Sequence, residues 1–510
     1  MARSGMTALA RTNWMSENGA SRSSSARIIR SMMLDSLSCY QALKTRDARF
    51  DGRFFTGVTS TRVYCRPVCP AKAPKLENCL FFPSAAAAES EGFRPCLRCR
   101  PELAPGNASI DAGARLAHAA ASLIENGVVN GAGVGELARR IGVTERHLRR
   151  LFFAAFGVAP IEFVQTQRLL LAKRLLTDTA LSATDIAFAS GFQSLRRFNT
   201  LFKQRYRLTP SDLRKNTKTQ ALTDEFVFEL AYRPPLDWPH LLRFLGSRGI
   251  AGVELISEKI YRRSVRIEAK NVIHRGWVAV TQHKSKAVLR IHLAASLASV
   301  LPNVISRIKQ LFDLSCHPDE IGATLGDLAV GRPGLRLPGA FDGFELAVRA
   351  VLGQQITVRA ATTLAGRFAA AFGDAIVTPF PEMTRIFPTA EQIARLTVDD
   401  IAKLGIIAAR ARTILALARQ IADGELRLDP SADVEATIGQ LRGISGIGDW
   451  TAQYIAMRAL AWPDAFPHTD FGVMKALNEK NPRNVLAKAE AWRPWRAYAV
   501  MHLWRSLEET

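Results

Sequence analysis

The pairs Cys65-x3-Cys69 and Cys96-x2-Cys99, separated by 26 residues, constrain the fold of this 510-residue chain more than any other feature. Two close pairs of thiols across such a gap have the spacing of two metal half-sites. No charged leader with a cleavage site precedes them, so the thiols are expected to stay reduced, which favours zinc over disulfides. Four thiolates close a tetrahedral shell around Zn²⁺, and by spacing alone that shell is usually a structural clasp. Cys39, Cys79 and Cys316 have no paired neighbour and read as buried small apolar residues.

Charge narrows the class of partner. Lys and Arg outnumber Asp and Glu by 68 to 46, a net charge of +22, and the excess is concentrated in residues 1–220, with 33 basic against 16 acidic residues. Such a half predicts a polyanion, DNA or RNA, because neutralising phosphates releases their counterions. With 48% hydrophobic residues the chain can bury several cores, and its length suggests three to five domains. It has no apolar run of 18 or more, so no spanning helix is expected, and a cytoplasmic protein is the simplest reading. Residues 1–34 are rich in Ser and Arg and read as a disordered tail, with Met32 or Met33 as alternative starts.

The words around the cysteines are specific. "Val63-Tyr64-Cys65-Arg66-Pro67-Val68-Cys69-Pro70" and "Gly92-Phe93-Arg94-Pro95-Cys96-Leu97-Arg98-Cys99-Arg100-Pro101" closely resemble the N-terminal domain of the Ada adaptive-response family. The resemblance implies a zinc domain over 35–105 with Cys65, Cys69, Cys96 and Cys99 as ligands. It further implies that Cys65 accepts a methyl group from a DNA methylphosphotriester. The chemistry is reasonable on its own terms, since a metal-held thiolate can attack a methyl carbon in line and expel the phosphodiester. Methylation removes one negative charge and so lessens repulsion from DNA, which provides a switch. Arg62, Arg66, Arg94, Arg98 and Arg100 are expected either to grip the phosphate backbone or to form an ordinary solvated face.

Residues 109–216 contain a repeat of period near 49. "Gly135-Glu136-Leu137-Ala138" through Pro160 is echoed by "Thr184-Asp185-Ile186-Ala187" through Pro210. Each copy is a short apolar-periodic helix, a glycine turn and an Arg-rich helix, the pattern of a helix-turn-helix. Arg146, Arg149 and Arg150 in the first copy, and Arg196 and Arg197 in the second, are the expected outward DNA contacts. Two such units on one chain can reach successive major-groove turns without a dimer. "Gly191-Phe192-Gln193-Ser194" to "Leu208-Thr209-Pro210" resembles the AraC-type DNA-binding domain, with Arg207 where that family often has Gly.

From about 222 the texture alternates as in half-buried strands, at Phe226–Tyr232, Val265–Ile267, Trp277–Val280 and Ala287–Ile291, which predicts a small antiparallel α+β unit over 222–338. Residues 339–510 read as helical throughout. Within them "Leu441-Arg442-Gly443-Ile444-Ser445-Gly446-Ile447-Gly448-Asp449-Trp450" has the form of a helix-hairpin-helix, whose Gly446 and Gly448 allow a phosphate to approach turn amides. Together with "Phe466-Pro467-His468-Thr469-Asp470-Phe471", "Trp492-Arg493-Pro494-Trp495" and "Tyr232-Arg233-Pro234-Pro235", this region resembles the AlkA alkylpurine-DNA glycosylase family over nearly all of 222–510. The resemblance places the catalytic aspartate on Asp470 and an aromatic base pocket on Phe244, Trp450, Tyr454, Phe471 and Trp504. Strand-cleaving relatives carry a lysine where this chain has Asp449-Trp450, so base excision without strand cleavage is implied. The stack-filling wedge of that family falls on the polar Gln355. "Ser315-Cys316-His317-Pro318" lacks the context of a guanine-methyl repair site.

The expected molecule is multi-domain and mainly α with α+β parts: a small zinc domain, two helix-turn-helix units, a small antiparallel α+β domain and an all-α helix-hairpin-helix glycosylase domain. One Zn²⁺ is its expected cofactor, and double-stranded DNA, alkylated or promoter, its expected partner. RNA polymerase is a further possible partner, no membrane is involved, and the chain is expected to be monomeric. The rival reading is an AraC-type regulator with a degenerate glycosylase module and a purely structural zinc site.

Overall fold

The computed structural model describes residues 35–105, 112–125, 133–179, 181–215, 225–269 and 272–508. The tail expected over 1–34 lies outside them. α1 (Ser36–Thr45) begins at Asp35, whose carboxylate accepts from the amides of Leu37 and Ser38. β1 (Phe55–Val58), β2 (Val63–Cys65), β3 (Cys79–Phe82) and β4 (Arg94–Pro95) form a sheet in the order β3-β1-β2-β4, in which only the β2·β4 pair is parallel. α2 (Ala85–Ser90) contributes four buried alanines and is capped by Ser84.

α3 (Ala112–Glu125) leads into two helix-turn-helix units, α4 (Val134–Arg140) with α5 (Glu145–Phe156), and α7 (Ala183–Ala189) with α8 (Leu195–Tyr206). They are joined by α6 (Pro160–Asp178), and α9 (Pro210–Lys215) follows the second. The turns need left-handed backbone, which Gly142 (φ 71°) and Gly191 (φ 84°) adopt without a Cβ penalty. Thr144 and Ser194 cap the second helix of each unit by accepting from the amides of His147 and Arg197. Leu148 and Phe152, and in the second copy Phe198 and Phe202, are buried, while Arg146, Arg149, Arg150, Arg196 and Arg197 are exposed.

β5 (Glu225–Ala231), β6 (Glu254–Ile256), β7 (Ile260–Ala269), β8 (Val272–Gln282) and β9 (Val288–Ala294) make an antiparallel sheet ordered β5-β9-β8-β7-β6. α10 (Trp238–Gly246) lies between β5 and β6, and α11 (Leu301–Leu311) and α12 (Pro318–Leu325) follow β9. The remainder is helical: α13 (Gly343–Leu352), α14 (Val358–Phe372), α15 (Ala390–Ala394), α16 (Val398–Ala402), α17 (Ala408–Ala422), α18 (Val434–Gly443), α19 (Asp449–Arg458), α20 (Phe471–Ala476), α21 (Pro482–Ala489) and α22 (Arg496–Glu508). Among the described residues no helix is long and apolar enough to cross a membrane.

Two large apolar cores cross the module boundaries. One joins Phe55, Tyr64, Phe82 and the α2 alanines to the first helix-turn-helix unit and α6. The other runs from the C-terminal half of α6 through the second unit and the five-stranded sheet to α22. Cys316 is fully buried in the second core. Its sulfur contacts Arg336, whose guanidinium also donates to the carbonyl of Pro235, and burial pushes the thiol up.

Candidate metal and base-excision sites

The register of the small sheet assembles the four cysteines. β2 ends on Cys65, and its parallel pairing of Tyr64 with Pro95 puts Cys96 beside it, with the Cys96 amide donating to the Tyr64 carbonyl at 3.0 Å. A turn returns Cys69 through its amide to the Arg66 carbonyl at 3.1 Å. The four Sγ atoms lie within 4.8 Å of one another. Zn–S bonds of about 2.3 Å in a tetrahedron require sulfurs roughly 3.8 Å apart, so the set fits zinc with little contraction. Amides of Arg66, Ala71 and Cys99 donate to the sulfurs of Cys99, Cys69 and Cys96 respectively. Cys65 is half-buried, whereas Cys69, Cys96 and Cys99 are buried.

The five nearby arginines divide. Arg66 is buried in a bidentate ion pair with Asp51 and donates to the Cys99 carbonyl, and Arg100 pairs with Glu102 and Asp178. Arg62 lies over the Phe93 ring and donates to the Glu91 carbonyl. Arg66 and Arg100 are thus tied into the protein, whereas Arg62 stays exposed along its contact with Phe93. Arg98 is exposed and Arg94 half-buried.

The second site is built on α19, the start of α20, and α22. Asp470 is the N-cap of α20, its Oδ1 accepting from the Val473 amide at 2.9 Å. The same oxygen accepts from Trp504 Nε1 at 2.9 Å, and Oδ2 accepts from Trp450 Nε1 at 2.8 Å. Three N–H donors therefore fix both oxygens of one half-buried carboxylate. Trp450 stacks on Tyr454 (5.3 Å, 11°), and Phe244 from α10 is parallel to Trp504 (6.2 Å, 14°). Arg458 donates to the Tyr454 hydroxyl at 2.6 Å. Burial opposes ionisation of Tyr454, but the charges of Arg458, Arg248 and Arg349 outweigh it and hold the phenol below its ordinary value. The arrangement thus brings together Phe244, Trp450, Tyr454, Trp504 and Asp470. It leaves Phe471 outside the stack, 81% exposed at the first position of α20.

The hairpin between α18 and α19 has the geometry that its glycines imply. Gly446 has φ 93°, and a Cβ there would lie 2.2 Å from Thr413 Oγ1. Gly448 faces open space, and no side chain caps the first turn of α19, so its leading N–H groups are left for a ligand. Gln354 Nε2 ties the end of α13 to this turn, donating to the Gly446 carbonyl at 2.8 Å and to Thr451 Oγ1 at 3.0 Å. The next residue, Gln355, is exposed and left-handed (φ 53°), a strained conformation of a kind that persists where neighbours enforce it. Asp449 pairs with Arg442 and lies 3.4 Å from His468 Nδ1. Sequence reasoning missed the roles of Arg458 and Gln354, since a lone arginine or glutamine on a helix has no spacing signal.

Comparison with known proteins divides the chain in the same order. Residues 38–102 match the metal binding domain of Ada, 137–216 a helix-turn-helix domain, 227–342 the AlkA N-terminal domain and 348–494 the HhH-GPD superfamily of base excision DNA repair proteins. A Mycobacterium tuberculosis protein named probable bifunctional transcriptional activator/DNA repair enzyme AlkA is 38% identical, over 92% of this chain and 96% of its own length. DNA-3-methyladenine glycosylase 2 of Escherichia coli is 35% identical over 54% of this chain and 96% of its own. The Bacillus subtilis bifunctional transcriptional activator/DNA repair enzyme AdaA is 30% identical over 40% of this chain and 94% of its own.

Proposed function

The chain belongs to the family of AlkA-type bifunctional transcriptional activator/DNA repair enzymes, and from that premise we propose that it excises alkylated purines at Asp470 and accepts methyl groups from DNA on Cys65. The observation that carries the excision reading is the Asp470 carboxylate, held by two indole N–H groups at the edge of an aromatic stack. An electron-poor, alkylated base is attracted to electron-rich rings by roughly 0.5–2 kcal/mol per good contact. It must leave the helix to reach them, which costs least for a damaged pair. As the C1′–N bond breaks, its electron pair leaves with the base and positive charge builds on the sugar. A fixed, preoriented carboxylate stabilises that charge without reorganising, and water then bonds to C1′ and releases a proton.

Cys65, Cys69, Cys96 and Cys99 form the metal site of the Ada-type domain. A bound zinc ion would keep these sulfurs deprotonated at neutral pH. Cys65 Sγ bonds to the methyl carbon as the carbon–oxygen bond breaks, and the phosphodiester leaves as an anion. The exposed arginines of α5 and α8 read promoter DNA, RNA polymerase is the partner in activation, and the protein works as a cytoplasmic monomer. The assigned modules are 35–105 for methyl acceptance, 109–216 for DNA reading, and 222–338 with 339–510 for excision. The lesions are of the 3-methyladenine type, and the strand is left uncut.

The test is incubation with methylated DNA, read by free-base release and by intact mass. Wild type releases alkylpurine and gains one methyl mass. Asp470→Asn lowers release by about 10²-fold or more yet melts close to wild type, because Asn caps a helix as well as Asp does. Unchanged release from that variant removes Asp470 from its role, and an unchanged mass makes the cysteine set purely structural.

A further inference from the structure

A buried carboxylate lies between the strand that carries Cys65 and the second DNA-reading helix. Glu89, at the end of α2, is 2% exposed. Its Oε1 accepts from the hydroxyl of Tyr64, the residue preceding Cys65, at 3.1 Å. Its Oε2 accepts from Thr166 Oγ1 on α6 at 2.9 Å. Its backbone carbonyl accepts from Arg205 Nη1 on α8 at 3.0 Å, and Tyr206 of the same helix packs beside the carboxylate. Tyr64, Thr166 and Tyr206 are all buried. One side chain thus touches the metal-site strand and the linking helix, and its own peptide holds the C-terminal end of the second recognition helix.

Neither the chemistry at Cys65 nor base excision needs this contact, and a buried ionisable group is costly to keep. The alanine face of α2 lets the small sheet approach α6 closely, so a displacement of β2 has little slack to dissipate in. We propose that Glu89 is a positioning residue that carries the methylation state of Cys65 to α8, so that methyl uptake changes how the second unit grips DNA. The coupling would come in addition to the loss of negative charge at the sulfur. It rests on Cys65 being the methyl acceptor, and the relay can fail while that reading stands.

The experiment uses the full chain, zinc-loaded, before and after reaction with methylphosphotriester DNA. Methyl uptake is read by intact mass, and affinity for a duplex carrying its preferred operator by titration at fixed salt. Tyr64→Phe deletes only the hydroxyl bond to Glu89, and Thr166→Val deletes the bond from α6 at similar volume. Wild type is expected to gain affinity on methylation. Both variants are expected to take up methyl and retain zinc at wild-type levels but to lose most of that gain, at least threefold of it. An equal gain in wild type and both variants overturns the relay, as does a wild type that takes up methyl without gaining affinity. Absence of methyl uptake by wild type overturns the reading of Cys65 and the relay with it. Glu89→Gln, which keeps the shape and removes the charge, guards against a folding artefact: its melting temperature reports the fold, and its methylated-to-unmethylated affinity ratio reports the coupling.

Discussion

At the scale of single residues, Gly446 and Gly448 make opposite predictions although two residues apart. Gly446→Ala adds a Cβ that would sit 2.2 Å from Thr413 Oγ1 on backbone with φ 93°. It should cost about 1–3 kcal/mol of stability, measurable by denaturant titration. Gly448→Ala meets no atom within 4 Å and should fold normally. On the proposed role of this turn its methyl group would hinder an approaching phosphate, so DNA affinity should fall while the melting temperature holds. Glu89 gives a pH prediction. Burial pushes its carboxyl from 4.5 up to about 7. Below the lower value both folded and unfolded chains hold the proton. Between the two values only the unfolded chain releases it, so stability drains away as pH rises through that window. Denaturation of wild type at pH 5.5 and 8 should show this fall, and Glu89→Gln should flatten it. The roles of these residues were unequally legible. The two glycines announce themselves by their place in a short turn, whereas nothing in "Ala88-Glu89-Ser90" signals that its acid is buried against residues 25 and 77 positions away.

At the scale of elements, the two helix-turn-helix copies differ at their C-caps. The first recognition helix ends on Gly157 with φ 73°, and the second adopts the same left-handed turn at Arg207 with φ 56°. A side chain there costs roughly 1 kcal/mol. Arg207→Gly should raise the unfolding free energy by about that amount without altering the fold, and a gain of nothing or a loss would show that the arginine makes compensating contacts. Periodicity located both copies because each repeats an apolar face and a glycine turn at fixed offsets. The strands from Phe226 to Ile291 were legible for the same reason, by alternation. β6 was not, since Glu254–Ile256 is too short to alternate and is held in place by its partner β7. The aromatic cleft was legible only through family resemblance, as its members come from three helices remote in sequence.

At the scale of the whole molecule, the surprise for a reader of sequence is that the modules share their interiors. Composition and motifs delimit a zinc unit, a reader and a glycosylase, but no local pattern records that the α2 alanines pack against α6. The shared core makes a prediction about metal removal. Chelation should melt the first helix-turn-helix unit together with the small sheet, in one transition by hydrogen exchange, while the helices from α13 onward stay protected. Separate melting of the sheet alone would contradict it. The junction just after the last cysteine has a practical corollary. Glu102 is sealed in an ion pair with Lys173 of α6, and Arg100 joins Asp178 of the same helix. Residues 35–105 expressed by themselves therefore lose the Lys173 and Asp178 partners of this junction and bare the apolar side of α2 to water. The smallest fragment worth purifying extends through α6, and a shorter one should be found in the pellet.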